Sequence, residues 1–255
     1  MSAHPMGIGL IVFACVFGGV LLGLYLSKKV AAHHLSADSK DVINLALGVI
    51  GTLAALVLGL LLASAKSSFD AKSNGISQIA ADLVLLDRAL ARYGPETRDA
   101  RDLLRNALAA DIRQVWPEEK LQVARLDTIE AAAGLDPIED RISDLSPGTG
   151  AQRGLQARAL SLIIEIRQER TLILERTKIT IPLPFLIVLV WWFTIIFACL
   201  SLFAPRNALV IAMMFACALS VSAAIVLILE LDSPYQGVIR LSNAPLRNAL
   251  ALMGR

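Results

Sequence analysis

The side chains that could carry chemistry in this chain are few and scattered. Its three histidines are His4, His33 and His34, and none has a cysteine or carboxylate at metal-ligand spacing on the same element. The adjacent His33 and His34 could sense pH, but they read as part of a solvated loop. Glu118 with Glu119, and Asp136 with Glu139 and Asp140, have the chemistry to hold a cation or move a proton; in their setting they read as solvated helix faces. The cysteines Cys15, Cys199 and Cys217 all fall in strongly apolar stretches and read as small buried hydrophobes. No phosphate-cradling glycine loop and no nucleophile elbow occurs. The sequence therefore points away from an enzyme, and implies no metal and no cofactor.

The elements around these residues are dominated by length without charge. Four stretches, 7–26, 42–65, 179–205 and 207–229, are apolar and carry no charged residue. Each has the roughly 20 residues that a helix needs to cross the hydrocarbon core of a bilayer. Apolar residues make up 56% of the 255-residue chain, and its mean hydropathy is +0.63. The expected fold class is thus all-α: an integral membrane protein with four transmembrane helices and a helical cytoplasmic domain. The expected division is a first helix pair in 1–65, the helical domain in 66–178, a second pair in 179–229 and a C-terminal segment in 230–255. No basic residue precedes the first stretch, and its apolar run exceeds that of a signal peptide, so it is expected to be a helix of the protein. A net charge of +2, well mixed with acids, excludes a nucleic-acid binder and leaves the lipid bilayer as the first partner.

Positive charge sets the expected orientation. Lys28, Lys29, Lys40 and Arg206 fall on one side of the spans. Lys66, Lys72, Arg167, Arg170, Arg176, Lys178 and Arg240 fall on the other, which places the termini and the middle domain in the cytoplasm. Within that domain Phe69, Ile76, Ile79, Leu83, Leu86, Leu90 and Tyr93 form an apolar seam at helical spacing, so the second span is expected to run unbroken out of the membrane. Gly94 and Pro95 should end it. Leu104, Leu108, Ile112 and Val115 predict a further amphipathic helix, and Leu121, Leu126 and Ile129 a short one. A loop follows at 146–150. The last helix, 155–178, is expected to feed straight into span three, with Pro182 and Pro184 kinking the junction.

The second span carries two distinct faces. Gly48, Thr52, Ala55, Gly59 and Ala63 recur at helical spacing and form a face of small residues that lets a neighbouring helix approach closely. Leu53, Val57, Leu60 and Ser64 occupy another face, which ends at Lys66 with Phe69 just beyond. If copies of the chain pack around an axis through their small faces, this second face can line a pore and form a hydrophobic constriction. Lipid contact is the simpler reading of Leu53, Val57 and Leu60. A ring of Lys66 side chains at the mouth would gather anions; the rival is a lysine that snorkels to the headgroups.

After span four the chain reads Glu230, Leu231, Asp232, Ser233, Pro234, Tyr235, Gln236, Gly237. Pro234 should turn the chain out of helical geometry, and Glu230 and Asp232 need polar partners at that depth, as a structural latch would provide. This string, together with 55–69 and 85–95, resembles the bacterial membrane family known as bestrophin-like, and more distantly the bestrophin anion channels. The resemblance covers nearly the whole chain. It implies a homo-oligomer of five subunits in a bacterial inner membrane, a pore lined by the second span, inorganic ions, anions above all, as the conducted partners, and a post-span turn at Glu230, Asp232, Pro234, Tyr235 and Gly237. Gln236 is inserted in that turn and 238–243 carries no run of acids, so no calcium site is expected. The expected function is an oligomeric, anion-conducting channel. The alternative is a non-conducting scaffold or signalling protein that uses the 69–93 face to bind a partner.

Overall fold

The computed structural model describes residues 5–29, 37–116, 134–178, 183–205, 207–232 and 239–253. Among these, regular structure is helical throughout: α1 (Pro5–Leu26), α2 (Ala37–Tyr93), α3 (Arg98–Val115), α4 (Asp136–Ser143), α5 (Gly150–Lys178), α6 (Leu183–Leu202), α7 (Ala208–Asp232) and α8 (Ala244–Leu252). Four of them, α1, α2, α6 and α7, are long and apolar enough to cross a membrane. The chain divides into two compact units. Unit 1 comprises Met1–Ser68 and Thr180–Ser233, and unit 2 comprises Phe69–Ile179 and Pro234–Arg255.

Unit 1 is built around α1. Its buried face is Gly9, Val12, Val16, Gly19, Val20 and Gly23, a seam made only of glycine and valine. Small residues let helices touch backbone to backbone where no hydrophobic force drives them together. A methyl group added at Gly19 would meet the Thr194 carbonyl of α6, and one at Gly23 would strike the Ala198 carbonyl. On α7 the Ser222 hydroxyl donates a buried 2.6 Å hydrogen bond to the Gly9 carbonyl. Phe13 and Phe17 stack at 5.6 Å, and Phe215 of α7 meets both edge-on at 5.3 and 5.4 Å. Leu186, Leu189 and Phe197 of α6, Ile225 of α7 and Ala54 of α2 complete the core.

The predicted unbroken second span is present: α2 is one helix of 57 residues, and it supplies both units. It ends where expected. Gly94 has φ 144°, a conformation that side-chain-bearing residues rarely adopt, and Pro95 opens a short 3₁₀ turn. The Thr97 hydroxyl, 2.6 Å from the Leu90 carbonyl, closes the last turn of α2. In unit 2, Ile79, Leu83, Leu86 and Leu90 of α2 pack with Leu104, Leu108 and Ile112 of α3 and with Ile138, Ile142, Leu162, Ile163 and Ile166 of α4 and α5. Leu246 and Ala249 of α8 join the same core. The Trp116 indole donates to the Leu241 carbonyl at 2.9 Å, which ties the C-terminal segment to the end of α3.

Some expectations are corrected. Span three is described from Leu183, with Pro184 in its first turn, where proline is tolerated; the kink expected at the junction falls on residues 179–182, outside the described ones. Cys15 and Cys217 are exposed on the surface of unit 1 and Cys199 is half-buried, so none is buried within the chain as the sequence led one to expect. The helices α4 and α8 were not expected. The predicted 121–129 helix, the 179–182 junction, all three histidines, Glu118 and Glu119 lie outside the described residues.

Candidate functional site

The candidate site is the surface of α2 within unit 1. At about 100° per residue, each side chain's position fixes which way it faces. Leu47, Ala54 and Ala65 are buried, and Leu58 and Leu61 pack at the edge of the unit 1 core, so this line is the inward face of α2. Leu58 therefore belongs to the protein's own packing. The small-residue face points elsewhere. Gly48, Thr52, Ala55, Gly59 and Ala63 are all exposed, and a methyl group added at Gly48, Gly51 or Gly59 would meet nothing within 4 Å.

The face of larger residues divides. Leu53, Leu60 and Ser64 are exposed, whereas Val57 is half-buried against the unit 1 core. Leu56, not nominated by the sequence, is 61% exposed and lies between Leu53 and Leu60 in helical register. It was missed because the choice of face followed one spacing pattern, and only the buried line of Ala54, Leu58 and Leu61 shows which side is turned outward. Lys66 is exposed and continues the register of the small face, three residues beyond Ala63. Phe69 is half-buried and packs against the core of unit 2.

Coverage separates α2 from the other spans. Of its most apolar stretch only 11% is buried, against 33% for α1 and 22% each for α6 and α7. Val42, Leu45, Val49, Leu53, Leu56 and Leu60 are all exposed large hydrophobics on this one helix.

At the end of α7, Glu230 is buried and Asp232 half-buried, and both are engaged in polar interactions. Pro234, Tyr235 and Gly237 lie outside the described residues. Unit 2 holds several of its charges in pairs. Arg101 grips Asp87 with two hydrogen bonds, of 2.7 and 3.0 Å, and these contacts raise the arginine's pKa further. Arg167 bridges Asp136 and Glu139 of α4, which makes that carboxylate group a helix clamp. Arg170 holds Asp111 at 2.7 Å beside a small cavity lined by Leu83, Leu104, Leu108 and Leu135. Burial pushes the Asp111 carboxyl up, more than Arg170 pulls it down. Among the described residues no group of three or more histidine, cysteine or carboxylate side chains could hold a metal ion.

A helix that leads from the membrane into a helical unit, with its apolar length uncovered, is the arrangement that comparison with known proteins clarifies. The model of the bestrophin-like domain matches residues 14–246. The chain belongs to the bestrophin-like family. Its fold is shared with crystal structures of two point variants of a bacterial bestrophin homolog from Klebsiella pneumoniae. One aligns with a TM-score of 0.64 at 15% identity, covering 94% of this chain and 99% of the other. The second gives 0.63 at 16% identity over the same shares. A further crystal structure, described as a membrane protein, matches at 0.64 and 16% identity, again over 94% and 99%. No curated protein matches the sequence significantly. The bestrophin-like chain is thus an all-α, multi-pass membrane protein of four apolar helices.

Proposed function

We propose that this bestrophin-like protein is a homo-oligomeric ion channel, five copies surrounding an axis lined by α2, and that it conducts anions. The observation that carries the reading is the bareness of α2. A single chain buries 11% of its apolar stretch, and the remaining surface has two unlike faces, one small and one large. Copies meeting through the small face would turn Leu53, Leu56 and Leu60 toward a common axis, where aliphatic rings form a neck that gates by dewetting. Val57 stands at the shoulder of that face, and Ser64 extends it toward the end of the span. Lys66, in the register of the small face, would bring its positive charge to the mouth from the seam between copies, where closely spaced charges keep much of their field at physiological salt. The family and the lysines and arginines that flank the spans support a place in the bacterial inner membrane with the termini and unit 2 in the cytoplasm.

Mass measurement in lipid discs tests the assembly, and currents under a chloride gradient test the rest. The expected result is an oligomer whose anion preference falls on Lys66→Glu and whose conductance rises on Leu60→Ala. A monomeric particle would overturn the channel and leave a scaffold. An unchanged permeability ratio would make Lys66 a lipid anchor.

A further inference from the structure

We infer that Trp191 of one copy docks into the small-residue face of α2 on the next, with Thr52 accepting the indole hydrogen bond. The inference rests on the oligomeric reading above and names its contact. Trp191 lies near the midpoint of α6, about 12 Å from its nearer end at a rise of about 1.5 Å per residue. It is 60% exposed, and among the described residues its N–H has no hydrogen-bond partner. An indole in the interfacial belt points its N–H at water. At mid-span there is no water in the hydrocarbon to receive it, and an unsatisfied donor there is costly. A tryptophan too deep to reach the headgroups therefore calls for a protein acceptor.

The small face of α2 offers one at matching depth. Thr52 lies near the midpoint of the 42–65 stretch, flanked by Gly48, Ala55 and Gly59, where the missing side chains leave open space. Its hydroxyl donates to the Gly48 carbonyl at 2.6 Å, which leaves the oxygen's lone pairs free to accept. A large flat donor without a partner and a shallow groove with an acceptor thus stand on different helices of the same unit. The indole N–H has no partner among the described residues of one chain, and the Thr52 oxygen, although its own proton is engaged, keeps room to accept. A contact between unlike surfaces is heterologous, and such contacts close into rings when the rotation permits.

Two measurements test the contact. Trp116, Trp191 and Trp192 are the only tryptophans, so Trp116→Phe with Trp192→Phe leaves Trp191 as the sole indole emitter. In phosphatidylcholine bilayers brominated at mid-chain its fluorescence should be little changed; loss of most of the emission would place it in lipid and overturn the inference. In a background with Cys15, Cys199 and Cys217 changed to serine, chains carrying Thr52→Cys are co-expressed with chains carrying Trp191→Cys. Oxidation should give a cross-linked dimer from that pair, and none when Leu10→Cys replaces Trp191→Cys. An intact oligomer without the cross-link overturns this contact alone, whereas a monomer overturns the ring reading with it.

Discussion

The helices α1 and α2 are both long, apolar and dotted with glycine, yet they meet opposite fates. In α1 the seam of Gly9, Gly19 and Gly23 is consumed inside the chain, pressed against Val226 and Ser222 of α7 and the backbone of α6 at Thr194 and Ala198. In α2 the glycines at 48, 51 and 59 face open space. Glycine on a membrane helix marks a place where a neighbour can come close; it does not say which neighbour. In this molecule the α1 glycines are used within the chain, and those of α2 are turned outward.

The largest expected effect breaks or upholds that contrast directly. Gly23→Ala drives a methyl group into the Ala198 carbonyl, which can yield only if α6 shifts. Overpacking of this kind costs about 2–3 kcal/mol. Gly59→Ala meets nothing within 4 Å in its own chain, and alanine is the better helix former. In a detergent harsh enough to separate copies, thermal unfolding should show Gly23→Ala several degrees below the native chain and Gly59→Ala at or above it. Equal losses in the two variants would erase the distinction.

Much of this architecture was legible in the sequence. Span length, the 69–93 seam and the Gly94 and Pro95 stop are local signals, and the unbroken α2 and the following α3 emerge from them. The seam of α1 was not legible, because glycines at 9, 19 and 23 are irregularly spaced within a helix that is apolar all round and so shows no preferred face. The eight-residue α4 escaped because it carries two buried side chains, Ile138 and Ile142, too few to show a period. On α2 the sequence separates a pattern of small residues from one of larger residues. It could not show that Val57 and Leu58 turn toward the chain's own core, since leucine and valine look alike against lipid and against protein.

Unit 2 repeats the contrast between covered and bare in its ion pairs, with a smaller expected effect. Asp87 is 8% exposed and doubly bonded by Arg101, so Asp87→Ala strands a partly buried guanidinium and should cost about 1–2 kcal/mol. Asp99, 80% exposed and 3.5 Å from Arg141, is an ordinary surface pair. Its replacement by alanine should shift stability by less than about 0.5 kcal/mol. Denaturant titration of both variants checks the order, and a larger loss at Asp99 would show that burial does not rank these pairs.

The smallest expected effect lies between those extremes, at Asp111. Its carboxyl is raised above the ordinary aspartate value of 3.8 because burial beside Leu83, Leu104 and Leu108 disfavours the charge more than Arg170 favours it. The sign follows from proton binding. Between the unfolded and the higher folded pKa the native state holds more proton than the unfolded one, so this group's contribution to stability improves as pH falls. Its cost is present in full above the folded pKa and is gone below 3.8. An isolated, well-exposed salt bridge does the reverse and weakens on acidification. Asp111→Asn removes the titration while keeping a polar side chain opposite Arg170. Denaturation midpoints followed from neutral pH toward 3.8 should therefore show the native chain gaining on the variant once pH falls through the raised folded pKa. Parallel curves would mean that Asp111 titrates alike in folded and unfolded chains. A native chain that loses ground would mean that the Arg170 pairing outweighs burial, and would move this pair to the covered side of the comparison beside Asp87 and Arg101.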